Sequence, residues 1–428
     1  MSEPGRSLGG VTLAQLAVAS MVGTGVFTSS GYLLDAVPSA PAVLLAWIVG
    51  GFVSLCGALA YAELCAALPE NGGEYALLTR IYHPRVGFAA GVVSIFAGFG
   101  GALSAVALGA GEYGAAALGL DHPLAAPSIA LLALALGGLL HSRGVSTSAR
   151  GQNAITALKV IAVLAFAIGL LLQADPSHLS VAEVPLGEAL LRPAMATGLV
   201  YVAYAYSGWN AAAYVAGEAG EPAKLHRAFS GATAGVTALY VLLNAAFLAA
   251  APMGALRGQT DIAHVATQAA YGTEAARAVS AVIALGLLST LGAMLMTGAR
   301  VLEAMVPVLR RRRPDASPIR SVAALCALTV PVIVYSNVSS LLLYAGSALT
   351  LSAMLTAAGV FVLRRREPEL HRPYRTFLHP LSTGIFVLFS AWMLAFAVYD
   401  APKPSLCALA TAALPALFYT GRRAPTSQ

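Results

Sequence analysis

Twelve long apolar runs, separated by short polar breaks, dominate the 428-residue sequence. They fall at roughly 10–34, 40–67, 85–116, 124–141, 150–172, 194–217, 228–251, 274–306, 319–336, 338–363, 379–399 and 404–421. A helix of about 20 apolar residues crosses the hydrocarbon core of a bilayer. The runs are continuous rather than alternating, which disfavours a membrane barrel. A helix satisfies its own backbone in lipid. Only 10% of the residues are charged, and 58% are hydrophobic. A soluble domain averages about 25% charged, so most of this apolar surface must face lipid. The expected fold class is an all-α polytopic membrane protein of about twelve transmembrane helices.

The net charge of +6 reads as Lys and Arg retained on one side of a membrane, and no nucleic-acid partner is expected. With the N-terminus in the cytoplasm, nineteen Lys or Arg residues fall on the cytoplasmic side. Only Arg192, Arg257, Arg277 and Lys403 fall on the other. This bias places both termini in the cytoplasm and the chain in a cytoplasmic (inner) membrane. The clusters Arg310–Arg313 and Arg364–Arg366 read as topology anchors that touch membrane lipid. Ala17-Val18-Ala19-Ser20 looks like a signal-peptide cleavage site, but the apolar run continues to Leu34, so the segment reads as a retained first helix. The four cysteines, Cys56, Cys65, Cys326 and Cys407, lie in apolar segments without metal-ligand spacing. They read as buried thiols, and neither a metal nor a cofactor is expected.

Two segments carry glycine where a spanning helix would avoid it. The first has Gly23-Thr24-Gly25, and the sixth has Ser207-Gly208 followed by Trp209-Asn210. Glycine in a membrane helix also serves merely to let neighbours approach. Interrupted helices at matching places in two five-helix halves, however, point to a transporter with a midplane site. An unwound turn frees N–H groups at the start of one half-helix, which can hold a carboxylate. It frees C=O groups at the end of the other, which can hold an ammonium. Glycine keeps the ligand's approach to the backbone open.

Charged residues inside the segments are few. Lys159 stands about 13 Å into the fifth helix, at 1.5 Å per residue. It is read either as snorkelling to the cytoplasm or as a functional cation near the midplane, with Ser289 and Thr290 as neighbours. Glu63 reads as structural. Glu112 is a solvated outer carboxylate, a proton site or a contact for a basic substrate. Arg300 and Glu303 have the spacing of a helical pair. His83, His141 and His226 read as surface residues. The sequence has no G-x-S-x-G, no H-E-x-x-H and no intramembrane Asp pair, which argues against an enzyme. Two broken helices suit a closed site better than a channel.

Further motifs carry a resemblance. They are Tyr61-Ala62-Glu63-Leu64, Pro69-Glu70-Asn71-Gly72-Gly73-Glu74-Tyr75, Gly87-Phe88, Tyr206-Ser207-Gly208-Trp209-Asn210, Gly217-Glu218, Glu221-Pro222, Thr297-Gly298-Ala299-Arg300 and Arg372-Pro373-Tyr374. With Gly23 to Phe27 and Lys159, they make the chain resemble the amino acid–polyamine–organocation superfamily, and within it the permeases similar to L-type amino acid transporters. The likeness runs over nearly the whole chain. It implies a leucine-transporter-like fold. Residues 10–172 and 194–363 would form two inverted five-helix repeats, and 379–421 two peripheral helices. It implies that Gly23, Thr24 and Gly25 bind a substrate carboxylate and that carbonyls around Met21, Tyr204 and Ser207 take the ammonium. Tyr204 would be a gate, and Tyr206, Gly208 and Trp209 would complete the pocket. Lys159 would replace a sodium ion and brace the first helix against Ser289 of the eighth. The chain departs from relatives at Tyr204, where many have Phe, at Ser207, where many have Gly, and at Arg310–Arg313, where many have an acidic-Gly pair.

The expected function is secondary active transport of amino acids, small neutral L-amino acids foremost, by sodium-independent alternating access with proton symport or exchange. The alternative is transport of cationic amino acids, amines or polyamines. Some relatives tether an accessory subunit through a Cys between helices three and four. Residues 119–123 here contain none, so no disulfide-linked partner is expected.

Overall fold

The computed structural model describes residues 8–142, 149–310 and 318–419. The chain opens with α1 (Gly10–Met21) and α2 (Thr24–Ala36), then α3 (Ala40–Ala67) and a short α4 (Gly73–Ile81). A continuous span follows, made of α5 (Pro84–Val93), a π-helical stretch (Ser94–Gly101) and α6 (Ala102–Leu118). Next come α7 (Ala125–Ser142), α8 (Ala149–Leu172), α9 (Leu186–Leu191) and α10 (Pro193–Tyr206). A 3-10 helix (Ala211–Glu218) leads to α11 (Leu225–Ala250), α12 (Met253–Leu256), α13 (Ile262–Tyr271) and the long α14 (Thr273–Arg310). The chain closes with α15 (Pro318–Tyr335), α16 (Val338–Arg366), α17 (Leu381–Asp400) and α18 (Pro402–Leu417).

Among the described residues, seven spans are long and apolar enough to cross a membrane, and the bent pair α1–α2 makes an eighth. The remaining four expected segments also hold helices, but shorter ones. They are α7, α10 with its 3-10 continuation, α15 and α18. Residues 69–84 and 252–273 read as connections between the apolar runs. The structure places α4 and α13 there.

The segments pack in a regular relation. The first lies against the sixth (α2 on α10), the second against the seventh (α3 on α11), the third against the eighth (α6 on α14) and the fourth against the ninth (α7 on α15). Small residues line much of this core, including Ala17, Ala60, Ala105, Ala107, Ala205 and Ala246, all almost fully buried. They let backbones approach where lipid supplies no hydrophobic drive between helices. One face of α8 and α14 instead points its large apolar residues outwards, as Leu158, Ile161, Val282 and Leu285 do, while Val163, Leu170, Leu287 and Leu291 face inwards. The outward face is the one expected to meet lipid.

Candidate substrate site at the two helix breaks

The first break is two residues long. Helix α1 ends at Met21, Val22 and Gly23 leave helical geometry, and α2 begins at Thr24 with its axis bent by 43°. The first amides of a helix have no partner within it. None of the backbone hydrogen bonds among the described residues uses the amides of Thr24, Gly25 or Val26. These groups carry the partial positive charge of the α2 N-terminus.

The second break follows Tyr206. Ser207 turns extended and Gly208 adopts a left-handed φ of 108°. The chain then enters the 3-10 helix at Ala211. Ser207 N–H donates to Tyr204 O at 2.9 Å.

The two breaks are packed on each other. A Cβ on Gly25 would fall 2.5 Å from Ala205 Cα, and one on Gly208 would fall 2.8 Å from the carbonyl carbon of Ser20. Each glycine thus presses on the last turn before the opposite break. At Gly25 the packing itself requires glycine. Its missing side chain makes room for a helix, whereas Gly23 has only ordinary contacts, the nearest being Thr290 Cγ2 at 3.8 Å.

Tyr240 of α11 joins both breaks, a role the sequence analysis missed. Its hydroxyl lies 2.6 Å from Met21 O and 3.2 Å from Ala205 O. Those are carbonyls at the C-terminal ends of α1 and α10. The available signal was a tyrosine in the middle of an apolar run, since a buried phenol needs a polar partner.

A cavity of about 310 Å³ lies beside the first break, between α8 and α14. Val22, Gly23, Phe27, Lys159 and Thr290 line it. The Lys159 ammonium donates to Thr290 Oγ1 at 2.9 Å, and Thr290 in turn donates to Gly286 O at 3.1 Å. This hydrogen bond joins α8 to α14 through Thr290, one of the two neighbours expected for Lys159. Ser289 is exposed on the outer face of α14. One residue of helix rotates a side chain by about 100°, which is the difference between facing the cavity and facing lipid.

The other expected site residues do not line this cavity. Tyr206 donates to Trp47 O at 3.0 Å and packs on the rings of Trp47 and Tyr240. Trp209 meets Tyr61 edge-on at 4.8 Å and Phe386 at 5.8 Å. Tyr204 is buried beside Thr24, and its Cβ borders Gly346 of α16. Gly25 on Ala205 and Gly208 on Ser20 form the contact between the breaks, and Met21 reaches Ala205 through the Tyr240 hydroxyl.

Three carboxylates define the surroundings. Glu63 is 1% exposed. Arg364 grips it with two hydrogen bonds, at 2.9 and 2.7 Å, and Thr376 N–H donates at 2.6 Å. Arg372 stands 3.5 Å away. This network ties α3 to the end of α16, which supports the structural reading of Glu63. Glu74, at the start of α4, is buried. Its Oε1 accepts from Tyr61 at 3.0 Å and from Asn210, while Oε2 has no hydrogen-bond partner among the described residues. Glu112 is half-buried and lies near Asp261, whose carboxyl burial pushes up.

His83 caps α5 by accepting from Arg85 N–H, and His226 is stacked on Tyr374 at 4.5 Å rather than free at the surface. Cys56 and Cys65 are buried, but Cys326 is half-buried and Cys407 exposed, which revises the expectation of four buried thiols. The Arg310–Arg313 cluster, the Arg300–Glu303 pair and His141 have side chains outside the described residues.

Relatives share this sequence over most of its length. The human large neutral amino acids transporter small subunit 2 is 27% identical, covering 95% of this chain and 78% of the human protein. The Asc-type amino acid transporter 1 of Mus musculus is 26% identical, over 93% of this chain and 77% of its own. The serine/threonine exchanger SteT of Bacillus subtilis (strain 168) is 28% identical over 54% of this chain and 52% of its own. The sequence profile of the amino acid permease family matches residues 8–418. The chain belongs to the amino acid permease family, within the amino acid–polyamine–organocation superfamily.

Proposed function

We propose that this permease is a secondary active transporter of small neutral L-amino acids in the cytoplasmic membrane, with both termini inside the cell. The observation that carries this reading is the first break. Among the described residues, the amides of Thr24, Gly25 and Val26 donate to no backbone acceptor. The carbonyls of Met21 and Ala205 both lie within reach of one hydroxyl. Donors for a carboxylate and acceptors for an ammonium thus stand at one point of the fold. The relatives named as carriers of large neutral amino acids and of serine and threonine support a neutral amino acid as the substrate.

The pairing of segments one with six through four with nine supports two inverted repeats, 10–172 and 194–363, with 379–421 peripheral. Such repeats move by rocking about a central site. Lys159 supplies a fixed positive charge beside the break, so transport proceeds without sodium. The single chain works without a disulfide-linked partner.

The test is uptake into liposomes containing the purified chain, with labelled alanine, serine, leucine, arginine and glutamate. Alanine, serine or leucine ranks first, and replacing sodium by choline changes nothing. A ranking led by arginine overturns the neutral reading in favour of a cationic substrate. That alternative draws on the acidic pair Glu112 and Asp261 near the outer face.

A further inference from the structure

The cavity beside Lys159 is open on the side away from the packed breaks. Ala162 of α8 and Ala278 and Val282 of α14 line it, and all three are exposed on the outer face of the bundle. Both helices are apolar spans at these positions. The mouth therefore opens into hydrocarbon. Inside, Phe27, Phe166, Val163, Ile283 and Leu287 make the wall apolar. One part of the lining holds a different chemistry. There the Lys159 ammonium and the Thr290 hydroxyl sit beside Val22 and Gly23.

An apolar chamber reached from the membrane, with one cation in its lining, is matched to one kind of molecule. Its tail must be apolar to enter from lipid, and its head must carry a single negative charge to pair with Lys159. An amine would be repelled, and an alcohol would leave the cation without a counter-charge. A phosphate dianion would bring more charge than one ammonium balances. We propose that this cavity is a membrane-facing binding site for an amphiphilic monocarboxylate, whose head pairs with Lys159 and Thr290 and whose tail lies against Phe27, Phe166 and Leu287. Its occupant would sit against the Val22–Gly23 break, where it would hinder any movement of α1 towards α8. This ligand is distinct from the transported amino acid. Its site is read by binding and does not depend on the transport reading.

Gly286 gives a clean way to close the chamber. It lines the cavity, and a Cβ built on it would meet nothing within 4 Å. Gly286→Leu starts its side chain in that open space and fills the chamber. Ala162→Phe obstructs the mouth from α8 and serves as the second variant. The experiment measures binding of radiolabelled decanoate to the purified protein in lipid nanodiscs, with empty nanodiscs subtracted. Unlabelled decanoate, decanol and decylamine are the competitors. Decanoate is expected to compete at least about tenfold better than decanol, and decylamine not at all. Gly286→Leu and Ala162→Phe each weaken decanoate binding by about tenfold or more, while melting within a few degrees of wild type. Lys159→Gln removes the preference for decanoate over decanol. Equal competition by decanol, or undiminished binding in both plugged variants, overturns the proposal.

Discussion

Gly208 stands against Ser20 so closely that a Cβ on it would lie 2.8 Å from both the carbonyl carbon and the Cβ of Ser20. Its φ of 108° is itself a conformation that other residues adopt at a cost. Gly208→Ala therefore meets two penalties, a clash with α1 and backbone strain. Gly25→Ala meets one, against Ala205. Each should lower stability by about 1–3 kcal/mol, with Gly208→Ala the worse. Gly23→Ala should melt near wild type, because its Cβ has room. Thermal unfolding of the three purified variants in one detergent checks the order. A Gly23→Ala protein as unstable as Gly25→Ala would show that the packing argument is wrong.

Tyr240→Phe removes the hydroxyl shared by Met21 O and Ala205 O. Leaving buried acceptors without a donor costs about 1–3 kcal/mol. The variant should fold with a lowered melting temperature. Added alanine should raise that temperature more than it does in wild type, since an ammonium supplies the missing donors. Ligand-dependent thermal shift reads both effects.

Lys159→Ala and Thr290→Val should each remove most exchange of labelled alanine, while Ser289→Ala leaves it intact. Lys159→Arg should be poor too, because a planar fork does not replace a point charge at this distance. Ser289 is the informative control, since it adjoins Thr290 in sequence but is exposed. Loss of exchange in Ser289→Ala with none in Thr290→Val would refute the assignment.

Glu63→Gln should destabilise strongly, by about 3 kcal/mol or more. It leaves the Arg364 and Arg372 guanidinium groups without their carboxylate. A drop in folded yield and in melting temperature is expected. Normal values for both would mean that the network contributes nothing.

Glu367 and Arg80 make a two-bond pair at 2.7 and 2.8 Å on the face expected to be cytoplasmic. The hydrogen bond from Arg80 holds the Glu367 carboxyl below its usual range. A carboxyl depressed on folding stabilises above the unfolded value, about 4.3, and loses that contribution as pH falls through the lower folded value. The melting temperatures of wild type and Glu367→Gln should differ near neutrality and converge in acid. The pair is partly exposed, so the difference is small. A gap that widens in acid would contradict the sign.

The segments were legible because lipid leaves the backbone one solution, a run of apolar residues long enough to cross. The breaks were legible because Gly23-Thr24-Gly25 and Ser207-Gly208 stand where a continuous helix has no use for them. The direction in which each residue points was harder to read. Gly25 and Gly23 differ by two positions, yet one meets a helix and the other a cavity. Ser289 and Thr290 are both small hydroxyl residues, and only the rotation of α14 separates them. Trp209 follows the second break directly but turns to Tyr61 and Phe386, because Gly208 redirects the chain. Tyr240 could not be placed without knowing that α11 runs past both breaks.

That tyrosine has a consequence in proton counting. A phenol has one hydrogen to give, and two carbonyls wait for it, one at the end of each interrupted helix. The shorter distance favours Met21 O, and Ala205 O takes at most a share of the same hydrogen. The two breaks are therefore rivals for a single proton, and a molecule that arrives with donors of its own ends the rivalry by supplying both.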